Sequence, residues 1–308
     1  MKRFLRALVH RKKTGWRIVC TLLLLCLGIK VFAMLFEGRF IYFPEKYPGG
    51  IWEVQGARAG EGHIVPAIED SSFVSQDGVN LHGWYCTPGR VSDDSFSSHQ
   101  AEMVLLFFHG NAGNITHRYD MIQRLMALPV NVFIIDYRGY GKSQGSPSEK
   151  GLYLDAQAAW HYLVFQRRIP ARRIILFGES LGGAVAIDLA TCVRPQGLIV
   201  QSSFTSIPDM AKTIFLFFPR FLVRTKMDSV RKIPNVSCPK LFIHSQQDDV
   251  VPYRFGRRLF EAASEPKQFY EVPGASHNET FLVGGEAYLE VLRRFVRSCE
   301  QAHARHPD

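Results

Sequence analysis

Cysteine is scarce in this 308-residue chain, and its spacing has no pattern. The six cysteines (Cys20, Cys26, Cys86, Cys192, Cys238, Cys299) form no C-x-x-C pair and no metal-ligand spacing. This excludes a cysteine-based metal site. Single cysteines of this kind read as small core residues. His109 has no H-x-H or H-E-x-x-H partner, so no metal and no cofactor are expected. An internal repeat of 20–50 residues is absent, which excludes solenoids and propellers. Basic charge is absent as a general feature of the body. The net charge is +9, but Lys2, Arg3, Arg6, Arg11, Lys12, Lys13 and Arg17 all precede the first carboxylate. Taking these seven from nine leaves +2 from Ile18 onward. A nucleic-acid protein spreads its cations over the folded domain, so nucleic acid is not an expected partner. With 46% apolar and 21% charged residues, disorder of the whole chain is excluded too.

One long hydrophobic run is present, Ile18–Phe36. Its 19 residues span about 28 Å as a helix, close to a hydrocarbon core of about 30 Å. Lys30 is its one charge and can snorkel to the interface. Residues 1–17 are therefore expected to be a basic cytoplasmic tail and 18–36 a single-pass signal anchor. The positive-inside rule then places the rest of the chain on the non-cytoplasmic side. The competing reading is a cleaved signal peptide with its site after Val31-Phe32-Ala33. No lipobox precedes Cys20 or Cys26.

Residues 37–68 are rich in Pro and Gly and read as a connector. A hairpin signal follows, Phe73–Ser75 and Val79–Tyr85 around Asp77-Gly78. Apolar runs at Met103–Phe108, Asn131–Ile135, Arg173–Phe177, Leu198–Val200 and Leu241–Ile243 suit strands buried on both faces. Helical periodicity lies between and after them, at Tyr119–Leu128, Gly151–Phe165, Leu181–Thr191, Tyr253–Ala263 and Ala287–Cys299. The alternation predicts an α/β domain over 69–299, a mostly parallel sheet with helices on both faces, with a cap insertion at about 204–233 and a tail at 300–308.

Chemistry is concentrated at strand ends. In RIILFGESLGG, residues 173–183, a buried strand runs through Gly178-Glu179-Ser180-Leu181-Gly182 into a helix of small residues. This is G-x-S-x-G in the setting it requires: a tight turn that presents Ser180 as a nucleophile. Serine needs a base, and the base needs an orienting acid. Asp248 and Asp249 follow a strand and are both candidates for the acid. His277, in Gly274-Ala275-Ser276-His277, is the candidate base. His244, His303 and His306 are poorer choices. The oxyanion requires two backbone N–H donors. Leu181, next after the serine, is one. Asn111, in His109-Gly110-Asn111-Ala112-Gly113-Asn114, is the other.

HGNAGN, then Asp136-Tyr137-Arg138-Gly139-Tyr140-Gly141-Lys142-Ser143, then GESLGG, HSQQDDVVP and GASHNE occur in that order. Over residues 40–298 the chain thus resembles the membrane-anchored α/β-hydrolase group that includes the bud-emergence-type proteins and the protein depalmitoylases; serine aminopeptidase-like hydrolases are relatives. The resemblance implies an acid loop of the form H-G-x-x-D-x-x-V-P, which puts the acid on Asp248. It departs at Ser245, where the family usually has glycine. It also implies that Asp136–Ser143 is a structural corner.

The expected activity is cleavage of an acyl ester or thioester through an acyl-serine. The apolar stretch Thr213–Val223 in the cap leans toward a lipid-like substrate. Two alternatives stand beside it: a serine aminopeptidase or amidase on the same fold, and a non-catalytic membrane scaffold. The sequence leaves the oligomeric state open.

Overall fold

The computed structural model describes residues 36–53, 65–89, 103–214 and 223–305, together with Trp16, Cys20, Thr21, Leu24 and Gly28. The expected anchor at 18–36 therefore lies for the most part outside the described residues. Among the described residues, no helix is long and apolar enough to cross a membrane.

The strands are β1 (Phe43–Pro44), β2 (Pro66–Val74), β3 (Asn80–Pro88), β4 (Met103–Phe108), β5 (Ala112–Gly113), β6 (Val130–Asp136), β7 (Ile174–Glu179), β8 (Gly197–Gln201), β9 (Lys240–His244) and β10 (Lys267–Glu271). The helices are α1 (Tyr119–Leu125), α2 (Glu149–His161), α3 (Leu181–Cys192), α4 (Ile207–Ile214), α5 (Ser229–Lys232), α6 (Tyr253–Ala262) and α7 (Thr280–Arg305). Eight strands form the main sheet in the order β10-β9-β8-β7-β4-β6-β3-β2. Strands β4 and β6 to β10 run parallel; β3 is antiparallel to both its neighbours.

Alternation along a strand divides the core in two. On β4, Val104, Leu106 and Phe108 face a layer that contains α2, α3 and α6. Leu105 and Phe107 face a layer with α1 and α7. Every residue of β4, β7 and β8 is buried, which is why these strands read as unbroken apolar runs. Strand β2 begins at Pro66, well before the expected Phe73. It is the edge strand, and residues such as Glu69 and Asp70 face solvent while their backbone pairs with β3. Helix α7 continues to Arg305 through residues expected as tail, because Glu300, Gln301 and Ala302 favour helix. A non-helical Gly285 (φ 54°) breaks it near its start.

The expected connector is partly built into the body. Phe43 and Pro44 pair in parallel with Ala112 and Gly113 as a separate two-stranded sheet. Ile41 and Tyr42 are buried. In the cap region, α4 and α5 flank residues 215–222. The core of the apolar stretch Thr213–Val223 thus lies outside the described residues.

Candidate active site

Every loop that carries a candidate residue leaves the C-terminal end of a parallel strand, so topology alone gathers them on one edge of the sheet. Ser180 sits between β7 and α3 with φ 53° and ψ −115°, a left-handed conformation that side chains rarely adopt. The turn is clamped. Ser180 N–H donates to the Gln201 carbonyl (2.9 Å), and the Ser203 hydroxyl donates to the Ser180 carbonyl (2.8 Å). Its glycines are steric necessities. A Cβ on Gly178 would overlap the Gly182 backbone, and one on Gly182 would overlap the Phe108 carbonyl. Leu181 is the first residue of α3. Helix N-termini leave their first N–H groups without intrahelical partners.

His277 follows β10 and is nearly buried. Its Nε2 lies 3.0 Å from Ser180 Oγ. Its Nδ1 lies 2.8 and 3.0 Å from the two carboxylate oxygens of Asp248. A carboxylate only accepts, so Nδ1 carries the proton and Nε2 is left to accept from the hydroxyl. The structure thus brings Ser180, His277 and Asp248 into one line of contacts. Asp249 stands apart from the imidazole; its Oδ1 accepts the backbone N–H of His277 (3.0 Å).

The Asp248 side chain is fully enclosed. It accepts N–H groups from Val250 (3.0 Å) and Val251 (2.7 Å), and His244 Nε2 lies 3.3 Å from Oδ2. Burial disfavours its charge, but hydrogen bonds from His244, His277 and Val251 outweigh that cost. They hold the carboxyl well below the usual carboxylate range. His244, a strand-end residue at the close of β9, is therefore also a neighbour of the acid. Ser245, the departure from the family's glycine, is buried and accepts the Gln247 N–H (3.1 Å). Its hydroxyl closes the first turn of the acid loop.

Asn111 lies on the loop after β4, next to Ser180. A Cβ on the adjoining Gly110 would stand 3.7 Å from that of Ser180. His109 is wholly buried, and burial pushes its pKa down to about 3. The neutral ring donates from Nδ1 to the Gly110 carbonyl (2.7 Å). Carbonyl and N–H point opposite ways across a planar trans peptide, so this bond orients the Asn111 N–H. Sequence reasoning gave His109 no role beyond rejecting it as a metal ligand. It also missed Arg118, whose Nε donates to Glu179, the residue before Ser180 (3.0 Å). Neither has a spacing signal, because each acts across the fold.

Among the described residues, no group of three His, Cys, Asp or Glu side chains is placed to hold a metal ion.

Comparison with known proteins agrees with this architecture. Residues 99–224 match the family described as serine aminopeptidase, S33. An uncharacterized protein of Mycobacterium tuberculosis is 36% identical over 280 residues, covering 91% of this chain and 94% of its own. Protein bem46 of Schizosaccharomyces pombe is 39% identical over 225 residues, covering 68% of this chain and 74% of its own. The solved Pyrococcus furiosus esterase Pf2001 superposes with a TM-score of 0.63 at 19% identity, covering 84% of this chain and 97% of that one, a likeness of fold. The chain belongs to the α/β-hydrolase family that includes bem46.

Proposed function

We propose that the protein is a serine hydrolase that cleaves an acyl ester or thioester through an acyl-serine intermediate. The observation that carries this reading is the line Ser180 Oγ, His277 Nε2, His277 Nδ1, Asp248, with contacts of 3.0 and 2.8 Å. In this mechanism Oγ attacks the acyl carbon while Nε2 takes its proton. The N–H groups of Leu181 and Asn111 bind the oxyanion. Collapse expels an alcohol or thiol, which receives the proton from His277. Water then attacks the acyl-serine as His277 again takes a proton; the acyl–Oγ bond breaks, the carboxylic acid leaves and His277 returns the proton to Ser180 Oγ. Asp248 stays ionised throughout and holds the imidazole in the required tautomer.

An acyl chain suits the apolar cap sequence between Ile214 and Val223. We further propose that residues 18–36 anchor the chain and that the catalytic domain lies on the non-cytoplasmic side.

The aminopeptidase reading draws on the description of the matched family. A peptide amine calls for an available carboxylate. In the cap, Asp209 accepts from the Thr205 hydroxyl (2.7 Å) and lies 3.6 Å from Arg258; Asp228 lies 3.4 Å from Arg231. Both are already engaged, which favours the esterase reading.

A panel of p-nitrophenyl esters, acyl thioesters and aminoacyl anilides, run beside fluorophosphonate labelling, tests the proposal. Esters or thioesters are expected to turn over well above anilides, with Ser180 the labelled residue. Faster anilide cleavage would transfer the assignment to the amidase. Absence of both labelling and turnover would leave the scaffold.

A further inference from the structure

Residues 41–49 are threaded between the Asn111 loop, whose Gly110 lies against Ser180, and the Tyr140–Gly141 corner. Phe43 N–H donates to the Asn111 carbonyl (3.0 Å), and the Tyr140 hydroxyl donates to the same oxygen (2.8 Å). The Asn111 carboxamide donates back to the Ile41 carbonyl (2.9 Å). Further along, Glu45 N–H donates to the Gly113 carbonyl (3.0 Å), and Asn114 Nδ2 donates to the carbonyls of Glu45 (3.1 Å) and Gly49 (2.9 Å). On the other side, Gly141 N–H donates to the Glu45 carbonyl and Tyr47 N–H to the Gly141 carbonyl, both at 2.9 Å. Just upstream, Glu37 accepts the N–H groups of Arg224 (3.1 Å) and Thr225 (2.8 Å), where the chain returns from the cap.

A pairing of two residues with two cannot sustain a sheet by itself, because each ordered residue costs about 1–2 kcal/mol of backbone entropy. Its effect here is local: it fixes residue 111. Both acceptor directions of the Asn111 carbonyl are occupied, and its carboxamide is tied to Ile41. The preceding peptide plane is held by His109. These contacts leave the Asn111 N–H as the group with a set direction and a task.

We propose that Ile41–Gly49 is a positioning element of the active site. By holding Asn111, it keeps that residue's N–H aimed at the acyl oxygen, although the segment supplies no reacting group. Phe43, through its N–H, and Asn111, through its carboxamide, are the positioning groups. The proposal rests on the reading of Asn111 as an oxyanion donor. Its consequence is that the stretch just after the expected anchor belongs to the catalytic unit. Cleavage after Ala33 would spare the site, whereas removal of residues up to Gly49 would disable it.

The test uses the full chain in detergent with three substitutions. Phe43→Pro deletes the N–H donor. Asn111→Ala deletes the carboxamide and keeps the backbone N–H. Phe43→Leu keeps the donor and serves as the rescue. Rates are expressed per site titrated with fluorophosphonate, so misfolded protein does not count. Phe43→Pro and Asn111→Ala are expected to lower kcat about ten- to a hundredfold at unchanged KM, somewhat less than deletion of an oxyanion donor. A trifluoromethyl ketone, which adds to serine and places an oxyanion in the same spot, should weaken by the same factor. Phe43→Leu should recover the wild-type kcat. If Phe43→Pro does not fold, Asn111→Ala decides alone. Wild-type kcat and ketone affinity per site would overturn the proposal. Ser180→Ala separates the two readings. If it retains turnover, the serine mechanism itself fails; if it is inactive while the Asn111 and Phe43 variants are unimpaired, only the positioning role fails.

Discussion

The Ser180 hydroxyl and the His277 Nε2 stand 3.0 Å apart, although 97 residues separate them in the chain. One lies after β7 and the other after β10, so parallel strand direction brings them together. Ser180→Ala and His277→Ala are each expected to lower ester turnover by at least about 10³-fold, because the groups act as one unit. The thermal midpoint should stay near that of the unmodified protein. Near-normal turnover in Ser180→Ala, measured on a p-nitrophenyl ester, would end the assignment.

The two neighbouring aspartates both act on His277, but on different parts of it. Asp248 meets the ring and Asp249 meets the backbone N–H. Asp248→Asn should therefore cost about 10⁴-fold in kcat, since an amide facing Nδ1 no longer enforces the tautomer. Asp249→Asn retains an acceptor oxygen for the amide and should stay within about tenfold. The opposite ranking in steady-state kinetics would hand the orienting role to Asp249.

Acidification should silence the enzyme through a single proton. The depressed pKa of Asp248 means its charge is established above the ordinary carboxylate value of about 3.9 and is lost only as pH falls through the lower folded value. Over about pH 4–8 it does not titrate, so it adds no proton to an acid limb in that range. The logarithm of kcat/KM should rise with pH at a slope of one. A slope of two above about pH 4 would mean that the carboxyl titrates as well.

The parts of the fold with a period or a steric rule were legible in the sequence. Strands β4, β7 and β8 are buried on both faces and read as apolar runs. The Ser180 turn announced itself through glycines that its close strand–helix contact demands. Asp248 was less legible, since two adjacent carboxylates after a strand look alike and only the family register separated them. Residues 41–49 were opaque. A two-residue strand has no period, and its partners in the Asn111 loop are distant in the chain. The same holds for Arg118, which reaches Glu179 from the far side of that loop. Contacts made by single side chains or single peptides leave no pattern to read.

Gly182→Ala should damage the fold and the site together. Its new methyl group would meet the Phe108 carbonyl, which belongs to a central strand that cannot move aside. The expected cost is about 2–3 kcal/mol, typical of overpacking, seen as a lower urea midpoint. Fluorophosphonate labelling should fall with it, because the same contact sets the Ser180 turn. Unchanged stability would mean that α3 can lift from the sheet without cost.

The catalytic domain is expected on the non-cytoplasmic side of a membrane, held by residues 18–36. The seven cations before that run carry the expectation, because Lys and Arg beside a first span act directly on its insertion. Asn235 offers an internal reporter. It begins an Asn-Val-Ser sequon and is exposed. Asn114, also in a sequon, is buried, and its carboxamide is bonded to Glu45 and Gly49, so the folded protein cannot carry a glycan there. Asn278 is exposed beside His277, where a glycan would obstruct the site. In a glycosylating host, Asn278→Gln should therefore leave Asn235 as the occupied site if the domain is translocated. Protease added to intact cells, or to spheroplasts where an outer envelope intervenes, gives the second reading. Digestion of the domain before lysis, with Asn235 glycosylated, is the expected result. A domain that resists protease until lysis, lacks the glycan and stays membrane-bound would reverse the orientation and keep the anchor. Release by osmotic shock with an N-terminus near Met34 would make the segment a signal peptide.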